Sequence, residues 1–146
     1  MKLVAENKRA GFEYELLDRY EAGIVLTGDE IKSVRLGHFS IVDCYGFIKD
    51  DECFLRNSYI KEYSNSFDAG RYGDTSRRDR KLLLHKEEIL KIKKKIKQDR
   101  LTLVPTKAYF DGSNLKVEIA VARGKKLYDK RESLKKKDLE RKINRI

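Results

Sequence analysis

The chain has 146 residues, 40% hydrophobic and 40% charged, with 34 Lys and Arg against 24 Asp and Glu and a net charge of +10. That length suits one domain plus an appendage, with a modest core under a heavily solvated surface. No apolar run approaches the roughly 20 residues of a membrane span, and Met1 to Arg9 lack the apolar stretch of a secretion signal, so the expected localisation is cytoplasmic.

Residues 7–11 form a polar lead-in ending at Gly11. Phe12, Tyr14 and Leu16 then alternate with Glu13 and Glu15, the period-two pattern of a half-buried strand. Ala22 to Leu26 reads as a second strand. Asp29 and Glu30 open a helical turn with Ile31 and Val34 facing inward, Gly37 closing it and Thr27 as N-cap, Glu30 completing a capping box. Ile41–Ile48 and Cys53–Ile60 read as strands joined by the polar turn Lys49–Glu52. Cys44 and Cys53 sit in these apolar runs and are expected as buried free thiols, too few for a zinc site, with a disulfide or redox role as the alternative.

From Tyr63 to Ser76 the composition predicts an exposed, mobile loop. A brief apolar run, Leu82–Leu84, precedes a helix over Lys86–Arg100 with Ile89, Ile92 and Ile96 on one face. The last hairpin rises from Leu101, turns at Asp111–Asn114 and returns through Leu115, Val117, Ile119 and Val121. Pro105 lacks a ladder donor and belongs at an edge or bulge. About six strands with two or three helices predict a mainly β fold: a small antiparallel barrel, closed or nearly so, of the oligonucleotide-binding (OB) kind, with helices at its openings.

This domain is expected to span 1–122, followed by a basic tail over 123–146. The tail holds eleven Lys and Arg against four Asp and Glu, and residues 77–100 hold the same numbers, which leaves the remainder of the chain at −4. Two basic blocks on a mildly acidic body imply a polyanionic partner, read as RNA. The tail has good helix formers, yet Leu127 and Leu134 lie on one side of a helical wheel and Leu139, Ile143 and Ile146 on another. Such a segment is expected to be disordered when free and helical against a charged groove.

Reactive groups are scarce by comparison. His38 and His85 belong to no metal or nucleophile motif, and there is no Gly-rich phosphate loop, so neither enzyme activity nor a metal or cofactor is expected. Arg77, Arg78, Arg80 and Lys81 can neutralise phosphates. His85 either stacks on a base or satisfies a local backbone group, and Tyr20, Tyr59, Tyr63 and Tyr72 either stack on bases or pack as core and rim residues.

Four runs then converge on one family. Tyr20-Glu21-Ala22-Gly23-Ile24-Val25-Leu26-Thr27-Gly28 with Glu30-Ile31-Lys32-Ser33, then Arg80-Lys81-Leu82-Leu83-Leu84-His85-Lys86, Leu101-Thr102-Leu103-Val104-Pro105, and Ala122-Arg123-Gly124-Lys125-Lys126-Leu127-Tyr128-Asp129-Lys130-Arg131 resemble, in order and spacing, the signatures of the SsrA-binding protein (small protein B) family. The resemblance implies an OB-like barrel that binds the tRNA-like domain of transfer-messenger RNA and delivers it to stalled ribosomes for trans-translation. The tail would become helical in the vacant message channel.

Carried over by position, the RNA-binding set is Asn7, Lys8, Tyr20, Glu30, Lys32, Arg35, Arg80, Lys81, His85, Lys86, Lys116, Arg123, Lys125 and Lys126, and the channel-facing set is Tyr128, Asp129, Lys130 and Arg131. Glu30 can accept hydrogen bonds from base amino groups, or serve as a cap, or both. One departure stands out: Asn57-Ser58-Tyr59-Ile60 replaces the family's Asn-Met-His-Ile, and Lys61-Glu62 its Ser-Pro. The alternative reading is another OB-type RNA-binding component of the translation apparatus; a nucleic-acid enzyme explains the charge but lacks a site.

Overall fold

Alternation of apolar and polar residues organises the protein around its last two strands. In the computed structural model, which describes residues 2–63 and 74–125, Thr102–Asp111 and Asn114–Gly124 form a long hairpin through a two-residue turn, Asp111 facing Asn114. Gly112 adopts φ +61° there, a conformation that costs glycine nothing. Val117, Ile119 and Val121 are buried on one face of the hairpin, as the period-two pattern requires.

In chain order the elements are β1 (Lys2–Glu6), α1 (Ala10–Glu13), β2 (Tyr14–Ile24), α2 (Gly28–Arg35), β3 (Phe39–Ser40), β4 (Tyr45–Lys49), β5 (Glu52–Arg56), β6 (Tyr59–Ile60), β7 (Arg80–Leu83), α3 (Lys86–Asp99), β8 (Thr102–Asp111) and β9 (Asn114–Gly124). Seven strands form one antiparallel sheet in the order β1-β8-β4-β5-β7-β2-β9, and β8 also pairs with β9, so the ladders lead from β8 around to β8 again. The fold is mainly β, with three helices among the described residues. The ladder between β8 and β9 shifts register at Pro105, which places the proline at a bulge as its missing donor demands.

Three local readings need correction. Phe12 and Glu13 end a helical turn over 10–13 instead of starting a strand, with Ala10 packed on Val104 and Ala122 in a second small cluster. The two strands expected over 12–16 and 22–26 are one, Tyr14–Ile24, paired along β9 with a bulge between Leu16 and Arg19. That bulge switches the inward phase: Leu16 serves the small cluster, while Leu17, Tyr20 and Ala22 serve the main core. The strands expected over 41–48 and 53–60 are shorter: β4 begins only after Asp43 and β5 ends before Asn57, which take left-handed φ of 65° and 68°. Strand β1 carries little signal in the sequence because its apolar run, Leu3-Val4-Ala5, is so short. The expected domain boundary at 122 falls inside β9, which continues through Gly124.

Helix α2 starts as its sequence predicts. The Glu30 N–H donates to Thr27 Oγ (3.2 Å), and the Thr27 N–H donates to Glu30 Oε1 (3.0 Å). Helix α3 buries Ile89 and Ile92, and its Lys93 and Lys95 pair with Asp51 in the β4–β5 turn and Asp18 on β2. Cys44 and Cys53 are free and buried, and burial pushes their thiols up to about 12 and about 11, leaving both un-ionised and unreactive at neutral pH. No helix among the described residues is long and apolar enough to cross a membrane.

The least expected feature of the interior is Arg80, which has no exposed surface. Its Nε donates to Glu30 Oε2 (2.7 Å), its Nη1 to the Ser58 carbonyl (2.9 Å) and hydroxyl (2.8 Å), and its Nη2 to the carbonyls of Thr75 (3.2 Å) and Ser76 (3.1 Å). One guanidinium thereby ties α2, the residues before β6 and the approach to β7. Burial pushes the Glu30 carboxyl up, but hydrogen bonds from Arg78 and Thr27 and the charge of Arg80 outweigh it and hold the group below its ordinary value of 4.5.

Breaking a buried pair strands a charge, so Arg80→Ala should cost about 3–5 kcal/mol in urea unfolding; a loss under ~1 kcal/mol would deny the pair its structural role. Because the native Glu30 value is depressed, its contribution is complete above the unfolded carboxyl value and disappears as pH falls through the native one. Urea midpoints should therefore drop as pH is lowered below the ordinary carboxyl range, less so in Glu30→Gln; parallel profiles would remove Glu30 as the cause. Gly46→Ala would set a Cβ 2.9 Å from the Leu103 Cβ on the facing strand, and a loss of about 1–3 kcal/mol is expected on thermal unfolding.

Candidate nucleic-acid interface

Two regions concentrate cationic and planar side chains. The first is built on α2 and the segment leading into β7. Arg78 donates through Nη2 to Glu30 Oε1 and through Nη1 to the Asp79 carbonyl (3.1 Å), with its side chain 34% exposed. On the same helix the Lys32 ammonium lies 5.5 Å from the Tyr63 ring centre. Arg35 lies 5.7 Å from the Phe110 ring and lines an open pocket with Lys2 and Gly112. Arginines held flat by rings or carboxylates are preorganised to meet phosphate oxygens in pairs.

The second region lies between β2 and α3. Asp18, Tyr20, Lys91, Lys94, Lys95 and Gln98 line an open cleft of about 260 Å³. Burial, then the Asp18 charge, raises the Tyr20 phenol above its ordinary value, so it stays neutral and able to donate. Lys95 is engaged by Asp18, whereas Lys91 and Lys94 pair with no carboxylate among the described residues.

The residues singled out from the sequence fall into distinct classes. Arg80 is corrected: a guanidinium with no exposure and all three nitrogens bonded inside the protein is not presented to a ligand. Glu30 is buried at α2 with both carboxylate oxygens engaged. Lys81 pairs with Glu52 (3.2 Å) and Arg123 with Glu15 (3.8 Å), both at exposed positions. His85 and Lys86 are exposed at the start of α3, where the His85 N–H donates to Glu88 Oε1 (3.0 Å). Lys8 is exposed and Lys116 half-buried on β9 opposite Gly23. Asn7 reaches the Pro105 carbonyl through Nδ2 (3.2 Å), while its buried Oδ1 has no partner among the described residues. Lys125 ties the end of β9 to the Gly11 carbonyl (3.0 Å). Lys126, Tyr128, Asp129, Lys130 and Arg131 lie outside the described residues, as does most of the loop expected over 63–76.

The reading of single residues missed a third constellation. Arg56 lies 4.2 Å from the Phe47 ring centre and pairs with Asp79 (2.9 Å), and Phe47 stacks on Phe54 at 5.4 Å. Tyr45, Arg56, Asn57, Arg77 and Asp79 line one open cleft of about 460 Å³. Alternation in Tyr45-Gly46-Phe47 and Phe54-Leu55-Arg56 carries a signal for a shared outer face. The joining of Asp79 to it depends on tertiary pairing of β5 with β7.

The unusual Asn57-Ser58-Tyr59 run also acquires a purpose. The Ser58 hydroxyl and carbonyl both accept from Arg80. Asn57 bridges the Asp43 carbonyl (3.2 Å) and Arg77 Nη1 (3.2 Å), and Tyr59 lies 5.0 Å from the Arg77 guanidinium.

The chain is similar to known proteins over nearly its whole length. The model of the SmpB protein family matches residues 4–146. The SsrA-binding protein of Sulfurihydrogenibium sp. (strain YO3AOP1) is 49% identical over 144 residues, covering 99% of this chain and 93% of that protein. The SsrA-binding protein of Agrobacterium fabrum is 47% identical over 146 residues, covering 99% and 89%. Among solved structures, "tmRNA-SmpB: a journey to the center of the bacterial ribosome" superposes with a TM-score of 0.68 at 42% identity, over 88% of this chain and 92% of that one. Matches of this length, on a fold with the same course, place the chain in the SmpB protein family.

Proposed function

We propose that this protein binds transfer-messenger RNA and carries it to stalled ribosomes for trans-translation, as a binding factor without catalysis of its own. The observation that carries the reading is the near full-length match to SsrA-binding proteins and to a solved tmRNA-SmpB structure. The described surface is compatible with it: cations are grouped beside rings on α2 and along α3, the composition of an RNA-binding face.

In this reading the ring of ladders is a closed OB-type barrel, and residues 1–122 with the end of β9 dock the tRNA-like domain. Contacts come from Lys8, Tyr20, Lys32, Arg35, Arg78, His85, Lys86 and Lys116. Phosphate contacts from Lys and Arg hold the RNA in register, and the neutral Tyr20 and the exposed His85 supply stacking or hydrogen bonds to unpaired bases. The segment from Lys125 onward enters the vacant message channel, with Tyr128, Asp129, Lys130 and Arg131 as its leading contacts. The site of action is then the ribosome of the cytoplasm.

A salt-controlled titration should show strong preference for the tRNA-like domain of transfer-messenger RNA over an ordinary transfer RNA and a random duplex. Equal affinities that fall together with salt would reduce the protein to a general RNA binder. Truncation after Gly124 should spare most RNA affinity yet abolish rescue in a stalled-translation assay; comparable loss of both would make the tail a phosphate clamp.

A further inference from the structure

We propose that Glu30 acts on RNA through Arg78: it is a positioning residue that holds the Arg78 guanidinium ready for an RNA phosphate, while Arg80 neutralises it from within. The inference rests on the reading that the α2 face meets RNA, and it names the group that makes the contact there.

Both oxygens of Glu30 are engaged inside the protein. Oε1 accepts from the Thr27 N–H and from Arg78 Nη2; Oε2 accepts from Arg80. Its side chain is 11% exposed. A carboxylate so occupied has little left to offer a base amino group. Arg78 is the outward member of the cluster, 34% exposed.

Charge explains why the pairing does not silence Arg78. One carboxylate set between two guanidiniums leaves one positive charge over, and Arg80 has no exposed surface through which to show it. The surplus is displayed at Arg78. Geometry fixes where it points. The Arg78 N–H donates to the Thr75 carbonyl (3.3 Å), its carbonyl accepts from Arg80 Nη1 (3.3 Å), and Nη1 donates to the Asp79 carbonyl (3.1 Å). With backbone and one edge of the fork restrained, little rotamer freedom remains to be lost on binding. A planar fork with one edge on a carboxylate offers its other edge to phosphate oxygens.

A double-mutant cycle decides it. The full-length protein, Glu30→Gln, Arg78→Ala and the double variant are titrated with the tRNA-like domain of transfer-messenger RNA and with bulk RNA across a salt series, each variant first checked by thermal unfolding. Each single change should weaken specific binding by about tenfold, the scale of one charge-assisted hydrogen bond. The double variant should be no weaker than Arg78→Ala, and the salt slope should fall by about 0.7–0.9 in all three, one phosphate's worth.

Losses that multiply to about a hundredfold would mean that Glu30 touches RNA itself and would overturn the proposal. Unchanged affinity in Arg78→Ala would overturn it equally. Should Glu30→Gln not fold, Glu30→Asp keeps the charge beside Arg80 while drawing it back from Arg78, and should show the same non-additivity. A wild-type protein that binds both RNAs alike would instead defeat the functional reading, and the inference with it.

Discussion

A buried guanidinium is costly to desolvate, and the region around α2 is arranged to satisfy one. Arg80 begins β7 in the interior, where burial lowers its affinity for its proton and the Glu30 charge opposes that shift. Its donors reach α2, Ser58, Thr75 and Ser76, segments far apart in the chain. Removing any acceptor leaves a charged donor dry, so these segments are held in one arrangement. Ser33, buried one turn along α2, donates to the Lys61 carbonyl and secures the helix to the chain beyond β6.

The long strands supply the rigid frame for that cluster. β2 pairs along β9 from Tyr14 to Gly23, and β9 along β8 from Leu115 to Ala122. Each ladder carries a bulge, near Leu16 and near Pro105, and a bulge changes which side chains face inward. Those phase changes let one strand serve the main core and the small Ala10, Val104, Ala122 cluster together. They also leave the outer face of β2, β8 and β9 free for a polar lattice, in which Tyr109 bonds Glu21 and Glu118 sits between Arg19 and Lys107 at 3.7 Å from each.

A formal charge of +10 is a poor guide to where the protein attracts an anion. Lys81, Lys93, Lys95, Arg56 and Arg123 each pair with a carboxylate, and Arg80 is internal. Exposed pairs of this kind contribute little to stability and exchange readily, so their cations remain recruitable. The cations set beside rings, Lys32 and Arg35, and the partly exposed Arg78 are held in place in advance. A net positive field attracts polyanions in general; side chains fixed in advance set where a phosphate can be met.

How much of this was legible depends on the range of the interaction. The capping box of Thr27 and Glu30, the inward face of α3, the β8–β9 hairpin and the bulge at Pro105 were all readable, because each follows from residues a few positions apart. The four ordered signatures made the family readable as well. The union of two expected strands into β2 was not, since a bulge disguises its alternation. Nor was the fate of Arg80, whose composition and neighbours mark it as one more phosphate ligand. By itself the sequence determined local structure, family and overall charge. Only tertiary structure decided which cations face outward, because burial and pairing are set by side chains remote in the chain, from the 22 positions between Arg80 and Ser58 to the 108 between Arg123 and Glu15.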